Sequence, residues 1–419
     1  MPFLTYFDPA STDPSDHVDR EADVAWLCQS LMSHLKSPDK SRGRAVAILG
    51  ERGTGKSTLT RKAIDQLREH HRATTLFLTI DCRRIRTQRR IYEAIAAQAV
   101  NELGFRADVP GPLKATARLL EAIASMDTVK QTTLYERMAA FRLAVKLSGN
   151  RNLLRLLALT YDINLERSGT HVESLEGSIH FDGHRLRDAV VAFFQDLRNH
   201  DLDTIVVLDN LDELDHEAVA NDAQRQSLLE EIDALLGLTL APIGLVLTVR
   251  SYFASSLTRA IDGNRVLHRL SNTDQVELLR KRLAREPKDI RAQFEAPACD
   301  ACIERLARRA PTPLALLKWF NYLAQNELQA EANIEHNLRG LARDQFATVR
   351  LPVLEAVVAS FDDPNDPIPE ADLLAACGNN RSVLAQLMRY QIVLPVDFWH
   401  PTEFTLSPDL HFMWTSKAT

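Results

Sequence analysis

Cysteine is scarce in this chain, and long apolar runs are missing. Five cysteines among 419 residues are too few for a disulfide framework, which favours a reducing cytosol. No run of about 18 uncharged apolar residues occurs, so the sequence predicts no membrane span. The first residues have neither a basic region nor a long apolar segment, so we expect no signal peptide. Together these absences predict a cytoplasmic protein.

Positive charge is not in excess either. The net charge of −6 gives no general attraction to nucleic acid or to anionic membranes, although a local basic patch remains compatible with it. Cys299 and Cys302 have C-x-x-C spacing, but no second pair or histidine cluster accompanies them. Their helical surroundings therefore favour a structural role over zinc or redox chemistry.

One glycine-rich segment, AVAILGERGTGKST from Ala45 to Thr58, predicts a strand, a turn and a helix opening at Lys56. It matches the phosphate-loop pattern G-x-x-x-x-G-K-[ST]. The glycines let backbone N–H groups point at a phosphate, Lys56 neutralises the β- and γ-phosphates, and the Ser57 hydroxyl ligates Mg²⁺. The predicted nucleotide-binding residues here are Gly50, Glu51, Arg52, Gly53, Thr54, Gly55, Lys56, Ser57 and Thr58.

Apolar patterning divides the chain into regions. About five apolar strands alternate with helices over residues 17–270, which predicts an α/β fold with a parallel sheet of the P-loop NTPase type. Residues 105–182 interrupt this core for longer than an ordinary connection, so we expect a helical insertion there. Residues 1–16 are expected to be an extended lead-in and 271–340 a helical lid. In 341–419, helices followed by two short strands favour a winged-helix-like domain.

The most hydrophobic strand runs from Asp203 to Asn210 and has an acid, Asp209, as its last residue but one. Asp209 lies at its tip and is predicted to hold Mg²⁺ together with Ser57, as phosphoryl transfer requires. The next residue is Asn210 rather than an acid, so another group must activate the attacking water. Asp212 and Glu213 are the candidates, and either can instead cap the next helix.

Arg250 ends the neighbouring strand, where an arginine can sense or stabilise the γ-phosphate charge. A surface cation at a strand end is the alternative interpretation. Arg259 and Arg265 are weaker candidates for an arginine finger offered to a neighbouring subunit.

These residues together resemble a family. Asp209-Asn210-Leu211-Asp212-Glu213 is similar to the extended Walker B of STAND ATPases, the NACHT and NB-ARC relatives within the AAA+ group. Thr248-Val249-Arg250 is similar to their sensor-1 strand. Val18-Asp19-Arg20-Glu21 resembles the G-R-E box, with Asp19 in place of glycine. Pro311-Thr312-Pro313-Leu314-Ala315-Leu316 resembles the G-x-P-L-A-L motif, with Pro311 in place of glycine.

The resemblance implies how the nucleotide is bound. In the family, the box lies near adenine and the motif's proline contacts the nucleotide. It therefore implies that Val18, Arg20, Thr248 and Pro313 line the site, and that the ligand is ATP or ADP. No guanine-reading motif follows the Walker B strand.

A second branch of AAA+ proteins competes with this interpretation. Asp81-Cys82-Arg83-Arg84-Ile85-Arg86-Thr87 resembles the segment after the second strand of Orc/Cdc6-like initiators, which share the core and the winged helix. That branch usually carries a lid arginine where this chain has Pro311-Thr312-Pro313, which favours STAND. Five arginines between Arg83 and Arg90 can contact nucleic-acid phosphates, a helix surface or another subunit. Residues 341–419 have five basic and ten acidic residues, which argues against a domain that reads duplex DNA.

The favoured function is therefore a Mg²⁺-dependent ATPase that acts as a molecular switch. The resemblance implies a homo-oligomer in the ATP state and a separately encoded partner or effector, in bacterial defence or stress signalling. The alternative is an Orc/Cdc6-like or transposition-helper ATPase acting on DNA. A nucleotide-binding scaffold without turnover is the third possibility.

Overall fold

A five-stranded parallel sheet organises the first part of the chain. The computed structural model describes residues 20–37, 42–85, 88–124, 183–213, 222–257, 261–294, 297–325, 334–397 and 401–413. The strands are β1 Arg44–Leu49, β2 Thr75–Asp81, β3 Asp203–Asp209, β4 Ile243–Val249 and β5 Gly263–Val266. Their order is β2-β3-β4-β1-β5, and every neighbouring pair is parallel. The predicted α/β fold with a parallel sheet is confirmed.

Helices cover both faces of this sheet. They are α1 Glu21–Leu35, α2 Lys56–His71, α3 Gln88–Gly104, α4 Gly111–Ala124, α5 Gly183–Asn199 and α6 Asp222–Leu236. In β1, Val46 and Ile48 pack in a cluster with residues of α1 and α2. Ala45, Ala47 and Leu49 point to the other face, where α3 to α6 pack. Both faces are therefore buried along β1 to β4, which explains why these four strands are mostly apolar, whereas the edge strand β5 is largely exposed.

Smaller helices follow the sheet. These are α7 Asn272–Leu283, α8 Pro297–Arg309, α9 Pro313–Gln325, α10 Ile334–Gln345, α11 Leu351–Ser360, α12 Glu370–Ala376 and α13 Arg381–Arg389. A second sheet consists of β6 Ile368–Pro369, β7 Val393–Pro395 and β8 Glu403–Leu406, in the antiparallel order β6-β8-β7. A 3₁₀ segment, Pro408–Met413, then ends the described part of the chain.

The C-terminal segment packs back onto the lid helices. The Trp319 and Phe412 rings meet edge to face, with centroids 5.4 Å apart. The buried Asp409 carboxylate accepts hydrogen bonds from Lys318 at 2.6 Å and from Gln345 at 2.8 Å. These contacts join α9, α10 and the 3₁₀ segment, so α10 lies across the expected boundary at residue 340. The domain boundaries and the winged-helix assignment stay predictions.

Several expectations need correction or fall outside the described residues. Apolar spacing over 344–359 predicts a single helix, but the structure has two, because α10 ends at Gln345 and α11 starts at Leu351 with a proline in its first turn. The last strand of the large sheet, expected over Arg265–Leu270, spans Gly263–Val266, so it begins two residues and ends four residues earlier than expected. Helix α4 falls within the expected insertion, residues 105–182, yet it contributes Leu113 and Leu120 to the main core. Residues 125–182, Val18, Arg86, Arg259, Trp399 and Trp414 lie outside the described residues.

Two further observations concern the described ranges only. No helix there combines the length and the apolar character that a bilayer span demands. Cys299 and Cys302 are one turn apart on α8, and the second is buried.

Candidate nucleotide site

The phosphate loop takes a conformation that its glycines permit. Gly53 and Gly55 have φ values of 81° and 93°, in the left-handed region that favours glycine. Gly55 caps α2, which begins at Lys56. The N-terminus of α2 therefore directs free N–H groups and partial positive charge toward the loop, as phosphate binding requires.

The Lys56 ammonium lies within the loop that precedes it. Its Nζ donates to the carbonyl oxygens of Gly50 at 2.6 Å and Glu51 at 3.0 Å. Burial lowers the pKa of Lys56, and attraction to Asp212 opposes that shift. A phosphate bound in the loop would therefore replace the carbonyl groups of Gly50 and Glu51 as the partner of the Lys56 ammonium.

An oxygen cluster joins the loop to the ends of β3 and β4. Asp209 Oδ1 accepts hydrogen bonds from Ser57 Oγ at 2.9 Å and from Thr248 Oγ1 at 2.5 Å. Burial raises the pKa of Asp209, against the lowering effect of these two hydroxyls. Hydroxyl and carboxylate oxygens suit Mg²⁺, so the predicted metal ligands Ser57 and Asp209 fit that ion.

The predicted sensor arginine is buried and engaged. Arg250 Nε lies 2.8 Å from Asp212 Oδ2, and the two side chains are 2% and 5% exposed. Arg250 Nη2 also donates to Gln391 Oε1 at 2.8 Å, and the same oxygen accepts from Arg52 Nη1 at 3.1 Å. Gln391, between α13 and β7, thereby connects the phosphate loop to the end of β4. Arg250 is thus not the surface cation of the alternative interpretation.

Arg20 anchors α1 beside an open cleft. Its Nη2 donates to the His268 carbonyl oxygen at 2.5 Å. Asp23 in α1 pairs with Arg265 Nε at 2.5 Å, so this weaker finger candidate is engaged within its own chain. The cleft is lined by Gly50, Glu51, Thr54, Ser251, residues 266–269, Pro311, Thr312 and residues of the C-terminal region.

The lid begins against the phosphate loop. Pro313 opens α9, and the next backbone N–H, that of Leu314, donates to the Gly53 carbonyl oxygen at 3.3 Å. A Cβ on Gly53 would lie 2.1 Å from Leu314 Cβ. The lid helix α9 therefore contacts the loop through Leu314, while a contact of Pro313 with the nucleotide stays a prediction.

The two candidates for activating the attacking water are Asp212 and Glu213. The Asp212 side chain is held by Arg250, whereas only the backbone of Glu213 is described, in the 3₁₀ turn Leu211–Glu213.

The sequence did not predict two residues of this site. Gln391 gave no signal, because no pattern marks a glutamine after a helix. Asp81 had one, since it is an acid at the end of the apolar strand β2.

Comparison with known proteins supplies the family. A sequence model of the AAA ATPase domain matches residues 20–246, more than half of the chain. The chain belongs to the AAA ATPase domain family. Membership supports nucleotide binding and ATPase activity in general terms. Among curated proteins, none matches this AAA ATPase in sequence.

Solved structures give the fold of this AAA ATPase. The Aeropyrum pernix ORC1 protein in complex with DNA has a TM-score of 0.50 and 14% identity, covering 98% of this chain and 94% of its own. The ADP form of Aeropyrum pernix ORC2 has a TM-score of 0.49 and 12% identity, covering 97% and 94%. Pyrobaculum aerophilum Cdc6p has a TM-score of 0.41 and 14% identity, covering 97% and 96%. The ORC1 likeness shows a shared P-loop AAA+ fold, while the STAND assignment stays a prediction.

Proposed function

We propose that this AAA ATPase binds ATP with Mg²⁺, hydrolyses it, and uses the nucleotide state to change its own assembly. In this proposal Gly50 to Thr58 hold the phosphates, and Lys56 neutralises their charge. Ser57 and Asp209 hold the metal ion, which would stabilise the charge that develops on the transferred phosphoryl group. Thr248 orients the Asp209 carboxylate through its hydrogen bond.

One observation supports a switch in particular: Gln391 accepts hydrogen bonds from both Arg52 and Arg250. Arg52 belongs to the phosphate loop and Arg250 to the end of β4, so both lie where the γ-phosphate is expected. A γ-phosphate that attracts these arginines competes with Gln391 for them. ATP would therefore loosen the C-terminal region, and ADP would leave it in place.

The test weakens this contact and leaves the backbone unstrained. Gln391 has a φ of 56°, which asparagine tolerates well. Gln391→Asn shortens the side chain by one methylene, so its oxygen no longer reaches both arginines. We expect the variant to self-associate at lower ATP concentration than the unmodified protein, measured by mass photometry with ADP and with ATP. The matched control is Gln386→Asn, on the exposed face of α13, which should behave like the unmodified protein. An ATP-independent oligomer would refute the switch.

A second candidate function, action on DNA, is favoured by two observations. The fold is similar to that of the ORC1 protein in complex with DNA, and five arginines lie between Arg83 and Arg90. Salt-dependent binding of a short duplex, measured by fluorescence anisotropy and weakened by Arg83→Ala with Arg90→Ala, would support it. In mass photometry, an increase in particle mass that needs both ATP and duplex would favour action on DNA over the signalling switch. The separate partner and the defence setting stay predictions of the resemblance.

A further inference from the structure

Hydrolysis at the proposed site needs a carboxylate near the metal-binding aspartate that does not itself bind the metal. Asp209 is occupied by two hydroxyl groups. The residue that follows it, Asn210, is an amide and accepts no proton. Asp212 is 5% exposed and paired with Arg250. Glu213, in the turn after β3, remains one candidate, and the position beside Asp209 on the neighbouring strand holds the other.

Asp81 occupies that position. It ends β2 in direct register with Asp209 on β3, so their α-carbons are separated by about 4.8 Å, the spacing of neighbouring strands. The two carboxylates also influence each other, because the charge on Asp81 contributes to the raised pKa of Asp209. Asp81 thus lies at the carboxyl edge of the sheet, where ligands of open α/β sheets bind.

Asn210 is held so that it contacts Asp81. It has a left-handed φ of 57°, and its backbone N–H donates to Thr248 Oγ1 at 2.7 Å. Its side-chain Nδ2 donates to Asp81 Oδ1 at 3.2 Å. An acid and an amide therefore form a pair across β2 and β3, with the acid on β2.

Arg83 stabilises the charged form of the Asp81 carboxylate, which is accessible to water. Arg83 Nε lies 3.0 Å from both carboxylate oxygens, and its Nη2 lies 2.7 Å from Oδ2. Burial would raise the pKa of Asp81, but the hydrogen bonds from Arg83 hold it below its ordinary value. The side chain is 43% exposed, in contrast with that of Asp212.

We propose that Asp81, positioned by Asn210 and Arg83, orients the water that attacks the γ-phosphate. This inference rests on the proposed ATPase function. In the step, the water oxygen bonds to the γ-phosphorus while the bond to the β,γ-bridging oxygen breaks. That electron pair leaves on ADP. Asp81 accepts one proton of the water and returns it to the released phosphate, which also keeps the other proton.

The test separates binding from hydrolysis in the full chain. ATP affinity is measured with a fluorescent ATP analogue, turnover by phosphate release, and folding by thermal unfolding. We expect Asp81→Asn to lower turnover roughly 100- to 1,000-fold, as loss of a positioned acid–base group does, with ATP affinity within about threefold. The double variant D81N/N210D returns the acid to β3 and should recover at least about tenfold of the loss.

The controls distinguish this inference from the ATPase function. Lys56→Ala tests the function itself; a protein that does not hydrolyse ATP, or that hydrolyses it equally well without Lys56, overturns both. Turnover that needs Lys56 but survives Asp81→Asn within threefold overturns the Asp81 role alone. Loss of turnover in Glu213→Gln with normal turnover in Asp81→Asn would assign the role to Glu213. If Asp81→Asn does not fold, the double variant and Asp81→Glu decide: both folded and inactive would overturn the proposal.

Discussion

Gly53 offers a direct test of how closely the lid and the phosphate loop fit together. Gly53→Ala forces a side chain into a left-handed conformation, which costs about 1–2 kcal/mol. The new Cβ would lie 2.1 Å from Leu314 Cβ, where ordinary contacts begin at 3.4 Å. The start of α9 must therefore move away by roughly 1.3 Å, or the contact stays strained. Either change should lower the free energy of unfolding by about 1–3 kcal/mol more. Retreat also breaks the hydrogen bond from Leu314 N–H to Gly53.

Gly55 supplies the matched control for this prediction. Its φ of 93° carries the same backbone strain, but no atom lies within 4 Å of a Cβ placed there. Hydrogen exchange without nucleotide, read on peptides of α9, should show faster exchange in Gly53→Ala and unchanged exchange in Gly55→Ala. Urea unfolding should show the extra destabilisation in the first variant only. Equal stability and equal exchange in the two variants would refute the contact between loop and lid.

Three further predictions address charges and hydroxyls. Arg250→Met removes the buried partner of Asp212 and should destabilise the protein by about 3–5 kcal/mol in urea unfolding; a loss below 1 kcal/mol would contradict a buried ion pair. Thr248→Val removes a hydrogen bond to Asp209 and should weaken Mg²⁺-dependent ATP binding roughly 10- to 100-fold, whereas unchanged Mg²⁺ titration would exclude that role. Although burial alone would raise the pKa of Asp409, Lys318 and Gln345 hold it below its ordinary value. The ionised Asp409 therefore adds to the free energy of unfolding above its unfolded pKa, about 3.9, and this contribution is lost as pH falls through the folded pKa. In a plot of unfolding free energy against pH, Asp409→Asn should make the fall at acid pH less steep.

Much of the fold could be predicted because its signals are local. A phosphate loop needs glycines at fixed spacing, and strands buried on both faces need continuous apolar residues. The predicted start of β1 and the predicted bounds of β3 therefore agree with the structure to within one residue. The predicted helix over 344–359 failed because apolar spacing continues across the break at residues 346–350. The strand β6, with two residues, is too short to show any period.

The contacts between distant segments could not be predicted in the same way. Gln391 bridges Arg52 and Arg250 across more than 140 residues of sequence, and nothing in its neighbours indicates that fold-back. Asp81 and Asn210 meet only because β2 and β3 are adjacent in the sheet, an order that strand patterns alone leave open. Register, not composition, places an acid and an amide side by side there.

Three contacts with distant parts of the chain arise from one turn of the phosphate loop. Arg52 binds Gln391, Gly53 accepts from Leu314, and the Glu51 carboxylate accepts from Ser251. The three loop residues are consecutive, and they contact the C-terminal region, the lid and the end of β4. A ligand that moves this turn therefore alters all three contacts together. Residues 51–53 contact other parts of the protein, whereas Gly55 to Ser57 would face the phosphates and the metal ion in the proposed function. Under the proposed function, this division lets hydrolysis and assembly respond to the same nucleotide through different residues of one loop.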